Sequence, residues 1–213
     1  MHGRVIFPLA IVAAVAAAIA AGTGTAASAR GTCSPSKSTT VAQSEAVRVY
    51  TRTATVDGQR TKVFYACAFN TRRPFRLPVN ELGVDGYGPF ALAGRYVAFG
   101  YHPSCGACAD EANVVYVMDA VARTARHHVI VDDDDDGVKS AFTDLEATRQ
   151  GSAAWIARDT GSAATVQVQK VEGSSDTPVA LDSGADVELR SLALSGTTLY
   201  WTRGGVPKSA TLR

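Results

Sequence analysis

Leu92-Ala93-Gly94-Arg95-Tyr96-Val97-Ala98-Phe99 and Leu194-Ser195-Gly196-Thr197-Thr198-Leu199-Tyr200-Trp201 share one grammar: Leu-x-Gly-x-x-apolar-x-aromatic. A Gly between two apolar runs marks a tight hairpin that needs positive φ. Two further short apolar segments carry an aromatic near their centre, Arg48-Val49-Tyr50-Thr51 and Ala154-Trp155-Ile156-Ala157. With Tyr50, Phe99, Trp155 and Trp201 aligned, the spacings are 49, 56 and 46 residues. A period of this length is that of a repeated β-sheet unit such as a propeller blade.

Each aromatic segment is followed, after a polar gap, by a second strand-like run within residues 62–67, 113–118 or 164–171. The last of these alternates cleanly, as a half-buried strand does. A third run follows within residues 74–77, 126–131 and 178–181. The expected fold is therefore all-β: four blade-like antiparallel β-meander repeats forming a small or partial β-propeller, with the aromatic strand central in each. Tyr50, Phe99, Trp155 and Trp201 are read as core residues packing between sheets rather than as a sugar-stacking platform. The first unit shows no clear leading strand and the last no trailing one. Residues 38–43 are accordingly expected to complete the last sheet and close the ring, hiding two edges.

Residues 1–29 read as a signal peptide. Arg4 precedes an almost wholly apolar stretch over residues 5–21, and Ala27-Ser28-Ala29 has the form of a cleavage site. Retained, the same stretch would be a membrane anchor. Arg30-Gly31-Thr32 before Cys33 is no lipobox. Residues 30–44 then form an N-terminal segment and residues 45–213 the repeat domain. The expected location is secreted or extracytoplasmic. Removing residues 1–29 leaves 20 basic and 20 acidic residues, a balance without the overall field that gathers nucleic acid. The charge is uneven: residues 30–80 hold nine basic and two acidic residues, residues 81–213 eleven and eighteen. A solvated edge accounts for this, and so does a basic patch including Arg72, Arg73 and Arg76 that contacts an anionic envelope polymer.

Exported cysteines are expected to be oxidised. Cys105-Gly106-Ala107-Cys108 reads as a structural staple of a long loop, leaving Cys33 and Cys67 for each other, although three connectivities stay open. The same CxxC raises a thiol–disulfide oxidoreductase, but the β-branched, aromatic run from Asn113 leaves room only for a helical turn after Cys108. Asp132, Asp134 and Asp136 followed by Gly137 have the spacing of a Ca²⁺ loop, with Thr143 at the twelfth position and Asp144 beside it. Five adjacent Asp residues are equally a solvated loop. His127 and His128 adjoin on a strand and point to opposite faces. The chain has no Gly-x-Ser-x-Gly, no phosphate-binding Gly-rich loop and no His-Glu-x-x-His. His102, with Asp110 or Glu111 as orienting partner, reads as an exposed loop histidine, and no carboxylate pair stands out. No catalytic residue is assigned.

At residues 92–99 and 191–202 the chain resembles secreted β-propeller-like proteins of the TolB/WD-like repeat sort, and Val63-Phe64-Tyr65-Ala66-Cys67 fits the same look. The resemblance covers roughly residues 45 to 212 and lacks the Ser-Pro-Asp-Gly turn of TolB repeats. It implies a fold and carries over no catalytic residue. The expected function is an exported, non-catalytic binding or scaffold domain for an envelope polymer or an exported protein, without a required cofactor. The alternatives are the CxxC oxidoreductase and a calcium-stabilised extracellular structural module.

Overall fold

A computed structural model of the chain describes residues 33–56, 58–78, 87–101, 113–132, 140–159 and 165–213. They form fifteen strands in four antiparallel sheets, each a meander in chain order. The first sheet holds β1 (Ser38–Gln43), β2 (Val47–Val56), β3 (Gln59–Ala68) and β4 (Phe75–Arg76). The second holds β5 (Tyr87–Ala93), β6 (Tyr96–Tyr101), β7 (Asn113–Asp119) and β8 (Thr124–Asp132). The third holds β9 (Ser140–Ala147), β10 (Ala153–Asp159), β11 (Val166–Val171) and β12 (Val179–Ser183). The fourth has three strands, β13 (Ala193–Ser195), β14 (Thr198–Arg203) and β15 (Val206–Thr211). Tight hairpins set the registers. Gly94 and Gly196 have φ of +57° and +61° at the first central position of the β5–β6 and β13–β14 turns. The residue after each stays at negative φ, the II′ pattern that matches strand twist.

Tyr50, Phe99, Trp155 and Trp201 lie on β2, β6, β10 and β14, the second strand of each sheet, and all are buried. Their cross-strand partners on the third strands are Tyr65, Tyr116, Gln169 and Lys208. Each aromatic after Tyr50 faces the sheet before its own. Phe99 packs with Val47, Val49, Ala66 and Leu77 of the first sheet, Trp155 with Val115, Val117 and Val129 of the second, and Trp201 with Ile156, Val166 and Val168 of the third. Three inter-sheet cores thus join the four sheets in chain order. β6 and most of β10 are buried on both faces because the middle sheets have a neighbour on each side. The Trp indoles keep polar partners: Trp155 Nε1 donates to Gln169 (3.0 Å) and Trp201 Nε1 to Asp182 of β12 (2.9 Å). In the second sheet, Phe90, Phe99, Tyr116 and His128 stack in cross-strand register, with ring centroids 5.5, 5.3 and 4.8 Å apart.

The end sheets differ. Tyr50 faces away from the second sheet, where a preceding sheet would lie. A small cluster covers it: Phe69, the stacked ring of Tyr65, and a disulfide between Cys33 and Cys67. Arg48, also buried, donates from Nη1 to the Cys33 carbonyl (2.6 Å) and from Nε and Nη2 to Thr40 (3.0 and 2.8 Å). The disulfide is compatible with an extracytoplasmic location. The free face of the fourth sheet carries Tyr200, 43% exposed. Among the described residues no buried cluster joins the fourth sheet to the first.

The expectation that residues 38–43 complete the last sheet is not met. β1 pairs with β2, Thr40 opposite Tyr50, and is the leading strand of the first sheet. The reason is local: β1 and β2 are separated by a short Ser44-centred turn, with Ser44 N and Oγ both bonded to Val47 O, and an antiparallel neighbour costs little loop entropy.

Replacing both Cys33 and Cys67 by Ala opens a link spanning 34 residues and is expected to lower unfolding stability by roughly 3–4 kcal/mol in the chain-entropy model, read by urea unfolding. Trp155→Ala is expected to cost about 3–5 kcal/mol by cavity formation. Tyr200→Ala, on the uncovered face, should stay within about 0.5 kcal/mol of the parent. Equal losses at the two positions would contradict the order of sheets described above.

Candidate functional site

The turns between the first and second strands of all four sheets converge on one cavity of about 720 Å³. Ser44, Glu45 and Ala46 come from the first sheet, Leu92 to Gly94 from the second, Ala147 to Gln150 from the third, and Leu194, Gly196 and Thr197 from the fourth. The first strands bring them together: β5 lies against both β1 and β9, and β9 against β13. The lining is hairpin backbone and small side chains, with Glu45 and Arg149 as its charged groups. The third turn is braced internally, Thr148 Oγ1 accepting from the amides of Gln150 and Ser152. Gly151, at φ +87°, allows the close packing there. A Cβ on it would come within 3.0 Å of the Tyr96 ring and 3.2 Å of the Arg126 stem. The Arg149 stem lies across Gly94 in the same way.

In an antiparallel meander the third-to-fourth turns fall on the same edge as the first-to-second turns. Backbone bonds confirm the adjacency: Phe69 N donates to Ala46 O and Ala120 N to Arg95 O, both at 2.9 Å. This edge also carries a seam between the second and third sheets. Arg126 Nη2 donates to Gly173 O (2.6 Å), while Asp176 Oδ1 lies 3.0 Å from His127 Nδ1 and accepts from the His128 amide at 3.4 Å. His127 is fully buried, and its Nε2 has no partner among the described residues.

Two carboxylates of β9 occupy its other face. Asp144 accepts from its neighbour Leu145 N (3.1 Å) and from Leu192 N (2.9 Å), pinning the segment before β13 to the third sheet. Burial raises the proton affinity of Glu146 above the ordinary carboxylate range, and the nearby Asp144 charge raises it further. Asp182 behaves oppositely. Burial alone would raise its pKa, but hydrogen bonds from Trp201, the Ser183 amide and Arg203 hold it below the usual range.

Cys105, Cys108, His102, Asp110, Glu111, Asp134 and Asp136 lie outside the described residues. Asp132 ends β8. Thr143 and Asp144, weighed in sequence as the far end of a Ca²⁺ loop, are engaged within the sheets: Thr143 Oγ1 donates to Ile156 O (3.3 Å) and Asp144 accepts the two amides. Among the described residues no three His, Cys, Asp or Glu side chains gather in a metal-holding group. Arg72 and Arg73 lie at the β3–β4 turn on the cavity edge, whereas Arg76 sits on β4 opposite Tyr65. Sequence reading missed Glu45, Glu146, Arg149 and the His127–Asp176 contact. The hairpin glycines Gly94 and Gly196 and the basic Arg72-Arg73 pair are the sequence signals that fall on this edge. No protein-family model matches the chain, and no curated protein matches it.

Glu146 sets a pH dependence whose sign follows from its raised folded-state pKa. Its protonated form is favoured by folding, so the contribution is best below the unfolded carboxylate pKa and worsens as pH rises through the folded value. Glu146→Gln is expected to raise Tm at pH 7 and to match the parent below about pH 4. A Tm gain independent of pH would refute this placement of the charge.

Proposed function

We propose that this chain is an exported, non-catalytic binding or scaffold domain built as an open four-unit propeller, with its ligand taken at the edge where the four hairpin turns meet. The convergence of four equivalent turns on one cavity carries the reading. Turn residues of a rigid β scaffold present backbone groups and varied side chains at little cost to the core, and concave sites of this volume suit small ligands or a protruding partner segment. The repeat grammar at residues 92–99 and 194–201, and the likeness to secreted TolB/WD-like proteins, support the propeller assignment. The leader-like residues 1–29 and the Cys33–Cys67 bridge support export. Neither described carboxylate with shifted proton affinity is part of the cavity lining: Glu146 adjoins the lining residue Ala147 in β9, and Asp182 serves a sheet-to-sheet contact. The partner class is an envelope polymer or an exported protein.

The purified chain, immobilised and exposed to envelope polymers and exported proteins of its own cell, is expected to retain a specific component. Thr197→Trp, which fills the cavity rim from an exposed turn position, should abolish retention without lowering Tm. Reduction of insulin by the chain, lost in Cys105→Ala, would replace the binding reading by the oxidoreductase one.

A further inference from the structure

We infer that the ligand of this edge is a linear polyanion other than a nucleic acid, contacted by Arg72, Arg73, Arg123, Arg126 and Arg149; the inference rests on the reading of the edge as the binding face. The five arginines come from three successive sheets. Arg72 and Arg73 stand at the β3–β4 turn, Arg123 and Arg126 at the β7–β8 turn and the start of β8, and Arg149 in the β9–β10 turn lining the cavity. All five are exposed, and none forms an ion pair among the described residues.

Two carboxylates of the same edge are engaged by cations or amides. Asp119 holds Arg95 (3.0 Å) and the amides of Val121 and Ala122. Glu172 takes Lys170 and the Arg213 amide. Glu45, Glu146 and Asp176, the last 3.0 Å from the His127 ring, are the other acidic groups of the edge, set against five guanidinium groups that form no ion pair among the described residues. Arg72 and Arg123 sit in equivalent turns with φ of +55° and +62°, and each amide donates to the carbonyl four residues back. Glycine would relieve that backbone strain of about 1 kcal/mol, and arginine there instead sets a cation on the outer rim. Arg126 is held by its bond to the Gly173 carbonyl (2.6 Å), so less of its side-chain freedom is lost when it binds. Guanidinium forks match phosphate and carboxylate oxygens bidentately. Cations drawn from three sheets across one edge suit a chain of repeated anions, which engages them together where a single small anion reaches one or two.

The test uses the full chain and four labelled probes: long-chain polyphosphate, polygalacturonate, neutral dextran and single-stranded DNA. Binding to polyphosphate or polygalacturonate, weakening linearly with the logarithm of salt, is expected, and the tighter of the two identifies phosphate or carboxylate as the source. The variant Arg72→Ala/Arg73→Ala/Arg123→Ala/Arg149→Ala should bind at least about tenfold more weakly with a shallower salt slope. The variant Arg60→Ala/Lys62→Ala, near the β2–β3 hairpin at the other edge, should change binding less than about twofold, with Tm unchanged in both. Unaltered binding in the quadruple variant, preference for DNA, or no binding to either polyanion overturns the inference. A partner still retained by that variant but lost in Thr197→Trp overturns it too, and leaves the binding face standing. If Thr197→Trp retains every partner, the face itself is wrong.

Discussion

Strands β6 and β10 are apolar on both faces, and a sheet built that way must be sandwiched. That constraint organises the molecule. Phe99 and Tyr101 of β6 turn to the first sheet while Tyr96 and Ala98 turn to the third. Trp155 and Ala157 of β10 turn to the second while Ala154 and Ile156 turn to the fourth. Leaving either face wet would expose several large apolar side chains, each worth about 1.5–3 kcal/mol when buried. The two middle sheets therefore demand the outer two, and the order of sheets follows chain order because each connection leads directly to the next neighbour.

The outer sheets solve their remaining face in different ways. Tyr50 holds the register that Phe99, Trp155 and Trp201 hold, yet among the described residues no sheet lies before its own. Cys33, Phe69 and Tyr65 take the place of that sheet, and Arg48 ties the Cys33 backbone down through Thr40 and the Cys33 carbonyl. The fourth sheet instead makes its free face polar: Ser195, Thr198, Thr202, Ser209 and Thr211 surround Tyr200 there, by strand alternation and pairing. Pro207 and Lys208 on β15 belong to the residue types that discourage another strand from adding to an edge. Among the described residues, a covalent cap thus covers the outer face of the first sheet and a polar face that of the fourth.

Much of this was legible because it is local. The Leu-x-Gly-x-x-apolar-x-aromatic segments encode a hairpin and the strand behind it, and the Gly94 and Gly196 torsions are those the pattern requires. The central place of the aromatic strand follows from runs on both sides of it. β1 was misassigned because Ser38-Thr39-Thr40-Val41-Ala42-Gln43 carries almost no apolar signal and is nowhere fully buried, so pattern alone could not choose between two sheets. β4 is two residues long and weakly marked for the same reason. The site was hidden for another reason. Asp144 meets Leu192, His127 meets Asp176 and Arg126 meets Gly173 across 47 to 49 residues, about one repeat. Such contacts follow from packing one unit on the next, and no window of sequence contains them.

The same unit-to-unit packing accounts for where the charge falls. A sequence with 20 basic and 20 acidic residues after position 29 offers no net field, yet the meander assigns each connection to one of two edges. First-to-second and third-to-fourth turns share the cavity edge with Arg72, Arg73, Arg123, Arg126 and Arg149. The other connections join strand ends at the opposite edge. Asp182 and Asp186 are drawn to that opposite edge by Arg203. Connection parity in the meander, rather than composition, thus decides which charges share an edge, and overall neutrality says little about either edge. Coulomb attraction between exposed charges fades beyond about 8 Å at physiological salt, so the potential at the cavity edge is set by the charges that stand there and not by the neutral whole.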